Sequence, residues 1–157
     1  MRTALHHIKY RRDLALADAL AVSLIDFYQR TLQWHLNMVI PVPLSARRRK
    51  ERGYNQAGLF ALPLALALQI PYKPQALERI RHTRSQVDLS WRERQQNVAG
   101  AFRAVPSQVT GKDVLLIDDV ATTGATLNAC ATALYAAGAR TVYALTVARA
   151  VSHTQSP

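Results

Sequence analysis

The sequence predicts an α/β protein with a mainly parallel central sheet flanked by helices. Residues 114–117 are four consecutive apolar residues without polar alternation, a pattern typical of a strand that is buried on both faces. Segments with helical periodicity alternate along the chain with short apolar segments. The chain has 157 residues, of which 49% are apolar and 19% charged, so it is long enough for one globular domain with a real core.

A helix, a strand and a second helix are predicted in the first half of the chain. Residues 13–33 carry an apolar stripe at spacings of three or four, which is typical of a helix that faces a core: Leu16, Leu20, Leu24 and Phe27. Residues 36–42 form a short apolar strand that ends at Pro41 and Pro43. A helix then begins after Asn55, a good N-cap, and Pro63 inside it predicts a kink or two segments.

Residues 76–103 are predicted to leave the main body of the domain as a polar excursion. A strand over residues 76–82 and a short helix over residues 90–98 are expected within it, and Phe102 is expected to return the chain to the sheet. The excursion is rich in arginine, with amide side chains interleaved, and such a segment inside a compact domain is more often functional than a plain connector. Its arginines are Arg79, Arg81, Arg84, Arg92 and Arg94.

The last predicted elements follow the buried strand. Residues 125–137 form a helix whose buried face is Leu127, Cys130, Ala131 and Leu134, and Gly138 is a good C-cap. Residues 141–148 form the last strand. We therefore expect one domain over residues 1–150 and a disordered tail over residues 151–157.

Charge and cysteine content limit the kinds of partner and location. Twenty Lys and Arg against ten Asp and Glu give a formal charge of +10, which predicts anionic partners such as a polyphosphate, a nucleic acid or an acidic membrane surface. Cys130 is the single cysteine, so an internal disulfide and a cysteine-cluster zinc site are excluded. No apolar run approaches about 20 residues and no export signal is recognised. A cytoplasmic location is expected, with the chain folding alone or as a homodimer.

Two acids and a small loop predict an anion site. Asp118 and Asp119 fall at the carboxyl end of the buried strand, where open α/β sheets bind ligands. Gly124 lets backbone approach a ligand closely, and the amides and positive dipole end at the following helix start attract an anion. The predicted phosphate loop is Ala121, Thr122, Thr123, Gly124, Ala125 and Thr126. The alternative for the two acids is a capped turn before a helix.

A basic segment follows the earlier strand. Residues 43–56 carry five cations and end at the predicted cap Asn55. A solvated basic loop is the alternative, since runs of charge are usually solvated. Because this segment and the acidic loop each follow a strand, both are expected to leave the same edge of the sheet.

These segments resemble a known family. The sequence LLIDDVATTGAT resembles the phosphoribosyl pyrophosphate (PRPP) signature of type I phosphoribosyltransferases. Together with PVPLSARRRKERGYNQA and RIRHTRSQVDLSWRERQQNVAGAF, it resembles the ComF/GntX family, which is associated with natural competence and DNA uptake. The resemblance covers about residues 5–149 and implies a Rossmann-like, mainly parallel sheet with a small hood and a flexible loop. Family members commonly begin with a cysteine-rich zinc ribbon, so this chain is either a short form without zinc or starts further upstream.

The resemblance also implies roles for individual residues. Asp118 and Asp119 would hold the ribose hydroxyls of PRPP, and the phosphate loop would hold its 5'-phosphate. The pyrophosphate would be received by Arg47, Arg49, Arg52, Gly53, Tyr54 and Asn55. The flexible loop would cover the site with Arg81, Arg84, Gln86, Arg94 and Asn97. Magnesium would bind with PRPP, because hard oxygen ligands suit it.

Three functions fit this sequence. The first is an enzyme that transfers phosphoribose to an unknown acceptor. The second is a PRPP-binding sensor without turnover that acts with DNA-uptake proteins, and shared binding residues cannot separate it from the first. The third is a protein that binds single-stranded DNA, which the charge and the arginines near Trp91 and Tyr54 favour.

Overall fold

The computed structural model describes residues 14–81 and 91–149, and within these ranges it leaves the side chains of residues 46, 47, 91, 92 and 94 undescribed. The helices are α1 (Leu14–Phe27), α2 (Ala46–Arg52), α3 (Gln56–Ala67), α4 (Trp91–Val98), α5 (Pro106–Val109) and α6 (Ala125–Ala136). The strands are β1 (Met38–Pro41), β2 (Leu77–Arg79), β3 (Phe102–Ala104), β4 (Asp113–Ala121) and β5 (Thr141–Arg149). The predicted tail over residues 151–157 lies outside the described residues.

The central sheet is parallel, as predicted. Its strand order is β1-β4-β5, with Pro41 opposite Ile117 and Val114 opposite Val142. The outer side of β1 is covered by a single bridge between Val39 and Tyr72. Because parallel strands need crossover connections, the helices between them pack on the faces of this sheet.

Both faces of the sheet are covered, and the strand side chains alternate between them. One face packs against α1 and α3 through Val39, Leu115 and Ile117. The other face packs against α6 and a small second sheet through Met38, Ile40, Val114 and Leu116. Residues 114–117 are 0% exposed, which confirms the predicted buried strand.

The first helix differs in detail from its prediction. Its α-helical part ends at Phe27, and residues 28–32 continue as a π-helix that stops at Gln33 in the left-handed conformation, with φ of 43°. Phe27 was predicted to face the core but is 47% exposed, whereas Tyr28 is 4% exposed. The buried residues of α1 are Ala17, Ala21 and Leu24, whereas Leu16 and Leu20 are only partly buried, so the buried face is rotated from the predicted leucine stripe and shares Leu24 with it.

Two predictions between residues 43 and 67 are corrected. The basic segment is not a loop over residues 46–52 but the helix α2, because Arg, Lys and Glu are good helix formers and Ser45 caps its start. Pro63 lies inside α3, which runs from Gln56 to Ala67 as one helix rather than two segments. Phe60, Ala61 and Leu64 are each 0% exposed, so packing against α1 and the sheet holds this helix together across the proline.

Phe102 does not return the chain to the central sheet. It lies in β3, which pairs antiparallel with β2 in a separate small sheet, with Arg79 opposite Phe102. The inner face of this small sheet packs against α6, and Leu77, Phe102 and Ala104 join the same core as Cys130 and Leu134.

Among the helices of residues 14–81 and 91–149, none combines the length and the apolar character needed to cross a lipid bilayer.

Candidate functional site

The pairing of β1 with β4 brings the two predicted binding segments to one edge of the sheet. The strands run parallel and in register, and the amide of Val42 donates to the Ile117 carbonyl at 2.8 Å. We call the edge where β1 and β4 end the carboxyl edge. Helix α2 follows β1 at this edge, and the turn before α6 follows β4. The expectation that both segments leave the same edge is therefore confirmed.

The two acids lie inside the last part of β4 rather than after it, because the strand continues to Ala121. Both are half-buried, and each carboxylate accepts a bond from the next backbone amide. Asp118 Oδ1 accepts from the Asp119 amide, and Asp119 Oδ1 accepts from the Val120 amide, each at 2.9 Å. These local bonds orient the carboxylates where the sheet ends.

The phosphate loop makes a tight turn into α6. Gly124 has φ of 76°, and no atom lies within 4 Å of the position that a Cβ would occupy there. The Thr123 hydroxyl accepts from the Ala125 amide at 3.4 Å, and no side chain caps the helix at Gly124. Thr122 is exposed, Thr123 and Thr126 are half-buried, and Ala125 is buried. The backbone of this turn can therefore approach an anion closely at the start of a helix.

Helix α2 carries the basic segment as a short, well-capped helix. The Ser45 hydroxyl accepts from the Arg48 amide at 3.3 Å, and Gly53 ends the helix with φ of 80° and its amide bonded to the Arg49 carbonyl at 2.8 Å. Arg48 and Arg49 are exposed, and the side chain of Arg47 is not described. Burial raises the pKa of Tyr72, and the Arg49 guanidinium opposes this effect.

The segment after α2 ties the basic helix to the sheet. Asn55 caps α3 by accepting from the Ala57 amide at 3.2 Å, as predicted, and its Nδ2 donates to the Val42 carbonyl at 3.0 Å. Arg52 Nη1 donates to Gln56 Oε1 at 3.0 Å. Gln56 is 2% exposed and its Nε2 is a buried atom without a hydrogen-bond partner in the structure. The Gln56 side chain, which the sequence does not single out, therefore holds Arg52 at the start of α3. Tyr54 is half-buried.

Two of the predicted flexible-loop residues form a structural contact. Arg81 Nη2 donates to the Asn97 carbonyl at 3.2 Å and to the Ala99 carbonyl at 2.6 Å. The guanidinium therefore satisfies carbonyls at the end of α4, where a helix leaves them without intrahelical partners. Arg84 and Gln86 lie outside the described residues, and the side chain of Arg94 in α4 is not described.

Arg79 joins the site although the sequence did not distinguish it from the other arginines of the excursion. Along β2, Leu77 is 1% exposed, Glu78 is exposed and Arg79 is half-buried. Burial lowers the pKa of Arg79; Arg48 and Arg81 lower it further, while Cys130 and Asp118 raise it. The charges of Arg48 in α2 and of Asp118 in β4 therefore both act on the pKa of Arg79. The alternation with Leu77 is the sequence signal that could have identified it.

Two features of the described residues bear on metal binding and redox chemistry: the grouping of possible metal ligands and the burial of the cysteine. Among the described residues, no three His, Cys, Asp or Glu side chains converge on a point that could hold a metal ion. Cys130 is 0% exposed, as predicted, and burial raises the pKa of its thiol, with Asp118 adding to the effect and Arg79 opposing it. A buried neutral thiol of this kind acts as a small apolar side chain.

Three comparisons place the chain among known proteins. It is 38% identical over 141 residues to Competence protein F of Haemophilus influenzae, covering 88% of this chain and 61% of that protein. It is 37% identical over 141 residues to the DNA utilization protein YhgH of Salmonella typhimurium, covering 87% of this chain and 62% of that protein. The glutamine PRPP amidotransferase of B. subtilis, complexed with ADP and GMP, superposes with a TM-score of 0.59 at 23% identity, covering 88% of this chain and 28% of that one.

The chain thus spans about three-fifths of the length of the curated relatives that it matches. The superposition shows a shared fold, and the relatives bear out the resemblance predicted from the three quoted segments. The phosphoribosyl transferase domain model matches residues 56–157, which is more than half of the chain. The chain therefore belongs to the phosphoribosyl transferase domain family, as a ComF-type member.

Proposed function

We propose that this protein binds PRPP at the carboxyl edge and transfers its phosphoribosyl group to an acceptor. The observation that carries the proposal is the in-register pairing of β1 and β4, which brings the acids, the phosphate loop and the basic helix α2 to one edge. PRPP has a 5'-phosphate, two ribose hydroxyls and a pyrophosphate. The acids, the phosphate loop and α2 offer one kind of partner for each of these groups.

In this proposal each group of PRPP has its own protein partner. The carboxylates of Asp118 and Asp119 accept hydrogen bonds from the ribose hydroxyls. Backbone amides of residues 122–126 hold the 5'-phosphate, and Arg49 and Arg52 with the turn at Gly53 hold the pyrophosphate. Transfer breaks the bond between C1 of the ribose and the pyrophosphate oxygen, and a new bond forms between C1 and the acceptor, which gives up a proton. The protein contributes by orienting both partners and by stabilising the charge of the departing pyrophosphate.

Magnesium fits this site only together with PRPP. The half-buried carboxylates of Asp118 and Asp119 supply hard oxygen atoms, but two side chains are fewer than the six oxygen ligands that magnesium prefers. The remaining ligands would come from the hydroxyls and the pyrophosphate of PRPP and from water. When bound, magnesium would supply positive charge next to the leaving group.

Calorimetry with PRPP, with and without magnesium, tests the binding step. Wild type should release heat on binding, and Asp118→Asn/Asp119→Asn should bind at least about tenfold more weakly, because each carboxylate loses charge-assisted hydrogen bonds. Asp18→Asn/Asp26→Asn is the matched control, since it removes two exposed acids of α1 that are not among the predicted site residues. Absence of PRPP binding by a folded wild-type protein would refute the proposal.

Pyrophosphate release tests the transfer step. Wild type is incubated with PRPP, magnesium and a panel of bases and amines, and pyrophosphate is measured. Release that depends on one acceptor supports transfer. PRPP binding without release for any acceptor would instead support a sensor that binds PRPP without turnover.

A second function is favoured by the charge and by the names of the relatives. The formal charge of +10 and the similarity to competence and DNA utilization proteins support a role in DNA uptake with binding of single-stranded DNA. This function predicts oligonucleotide binding that weakens steeply with salt and persists in Asp118→Asn/Asp119→Asn. Binding that disappears in that variant would place the oligonucleotide at the PRPP site instead.

A further inference from the structure

Gln56 is a buried amide at the carboxyl edge, where it is the first residue of α3 and is only 2% exposed. The residue before it, Asn55, joins this helix to the end of β1, since Asn55 Nδ2 donates to the Val42 carbonyl at 3.0 Å. The Val42 amide in turn donates to the Ile117 carbonyl at 2.8 Å, and Ile117 is followed directly by Asp118. These hydrogen bonds place the start of α3 beside the strand that carries the acids.

The orientation of the Gln56 amide is fixed by Arg52. A guanidinium donates hydrogen bonds and cannot accept them, so the atom that faces Arg52 Nη1 at 3.0 Å is the amide oxygen. The amide nitrogen Nε2 is then left without an acceptor in the part of the chain that the structure describes, although it is buried. A buried donor without an acceptor destabilises a fold. The contact with Arg52 is therefore kept in spite of an unsatisfied donor on the same side chain.

A neutral acceptor suits an arginine that binds an anion. The Gln56 oxygen can orient the guanidinium without cancelling its charge, whereas a carboxylate at this position would form an ion pair that competes with an anionic ligand. Arg52 is the last residue of α2, and Gln56 is the first of α3, with the turn at Gly53 between them. Their contact thus spans the turn to which the proposed function assigns the pyrophosphate.

We propose that Gln56 is a positioning residue for the pyrophosphate: its amide oxygen holds the Arg52 guanidinium ready at the turn, at a cost to the stability of the free protein. The inference rests on the proposed function, because it takes the pyrophosphate as the group that Arg52 binds. A long side chain that is already held in place loses less conformational freedom when the ligand binds. Loss of Gln56 should therefore weaken the binding of ligands that contain pyrophosphate and leave the binding of ribose 5-phosphate unchanged.

Gln56→Met tests this inference, because methionine has a similar length and neither the amide donor nor the amide acceptor. PRPP, pyrophosphate and ribose 5-phosphate are each titrated in the presence of magnesium by calorimetry. We expect Gln56→Met to bind PRPP and pyrophosphate about fivefold more weakly than wild type, and ribose 5-phosphate equally well. Its melting temperature without ligand should equal or exceed that of wild type, since the unsatisfied donor is removed. A residue that only supports the fold would instead lower stability and the affinity for all three ligands together.

Two further variants complete the experiment. In an Arg52→Gln background, Gln56→Met should have no additional effect on PRPP affinity, because Gln56 acts through Arg52. Gln108→Met is the matched control: it replaces a half-buried glutamine of α5 that is not among the site residues, and it should bind all three ligands like wild type.

Wild-type affinity for PRPP in Gln56→Met would overturn the inference, as would an equal loss for ribose 5-phosphate or a loss that persists in the Arg52→Gln background. In each of these cases PRPP still binds to wild type, and the proposed function stands. Absence of PRPP binding by wild type would refute the proposed function itself, and the inference with it.

Discussion

Asp113 shows how one residue stabilises the end of the sheet opposite the site. Its carboxylate accepts from Arg140 Nε at 2.7 Å and from Arg140 Nη2, and its amide donates to Asn37 Oδ1 at 2.8 Å. This ion pair joins the start of β4 to the residue before β5. The hydrogen bond from Arg140 lowers the pKa of Asp113 to about 2.

The low pKa of Asp113 predicts a pH dependence of stability. Its folded pKa lies below the unfolded value of about 3.9, so the ion pair stabilises the fold fully above about pH 4 and loses this effect as the pH falls toward about 2. We expect Asp113→Asn to be less stable than wild type at pH 7, with a difference that narrows between pH 4 and pH 2. Urea unfolding across this range measures it.

The exposed pair of Asp26 and Arg30 provides the control for this experiment. Its two side chains are 55% and 79% exposed, so Asp26→Asn should change stability little at any pH. A difference between wild type and Asp113→Asn that stayed constant from pH 7 to pH 2 would contradict the assignment.

Gly58 in α3 makes room for a neighbouring hydroxyl. A Cβ at this position would lie 3.0 Å from the Tyr72 hydroxyl oxygen. We expect Gly58→Ala to lower the free energy of unfolding by about 1 kcal/mol, because overpacking outweighs the better helix propensity of alanine. In a Tyr72→Phe background the same change should instead raise it by up to about 1 kcal/mol. Chemical denaturation of the four proteins tests this, and equal effects in both backgrounds would exclude the contact as the cause.

At the scale of elements, Arg81 closes the excursion between β2 and β3. Its two bonds to the carbonyls of Asn97 and Ala99 join the end of the small sheet to the end of α4, and the Ile80 amide adds a bond to the Ala101 carbonyl at 2.9 Å. These hydrogen bonds hold together the two ends of the segment that connects β2 to β3. These bonds give Arg81 a structural contact, and its predicted role in the flexible loop stays a prediction.

Loss of the two Arg81 hydrogen bonds should loosen α4 without unfolding the domain. We expect Arg81→Gln to speed amide hydrogen exchange over residues 91–101 and to cost about 1 kcal/mol in the free energy of unfolding. Arg103→Gln, on the outer face of the same sheet, should leave exchange in α4 unchanged. Exchange that accelerates evenly over the whole domain would show that Arg81 supports the fold in general rather than this helix.

At the scale of the whole molecule, the proposed site is assembled from two distant parts of the chain. PRPP with magnesium at about 100 times its dissociation constant should add about 2.7 kcal/mol of stability, a rise of roughly 5–10 °C in melting temperature. Asp118→Asn/Asp119→Asn and Arg49→Gln/Arg52→Gln should each lose most of this rise, because each removes one half of the site. Thermal unfolding with and without ligand measures it.

The two halves should also depend on each other. Asp118→Asn/Asp119→Asn and Arg49→Gln/Arg52→Gln can be combined in one protein. The loss of PRPP binding free energy should then be smaller than the sum of the two separate losses, as expected for residues that hold one ligand. Arg103→Gln, which keeps both halves, should retain the full rise in melting temperature. Additive losses would mean that the two segments bind separate ligands.

Much of the fold could be predicted because its signals are local. The apolar run at residues 114–117, the cap at Asn55 and the C-cap Gly138 each depend on a few neighbouring residues, and the structure confirms all three. The errors arose where distant contacts decide. Pro63 was expected to kink a helix or divide it into two segments, and the packing of Phe60 and Leu64 against the sheet keeps α3 as one helix.

The sequence by itself determined the chemistry of the carboxyl edge: a strand buried on both faces, two acids, a glycine turn into a helix and a basic segment. These depend on residue type and spacing, which the sequence contains directly. Only the tertiary structure decided that β1 and β4 are neighbours, that Arg79 lies on the inner face of the small sheet against Phe102, and that Arg81 binds the carbonyls at the end of α4. The reason is physical. Pairing between β2 and β3 decides which face of the small sheet each arginine occupies. More than twenty residues separate the two strands, so local sequence patterns do not show this pairing.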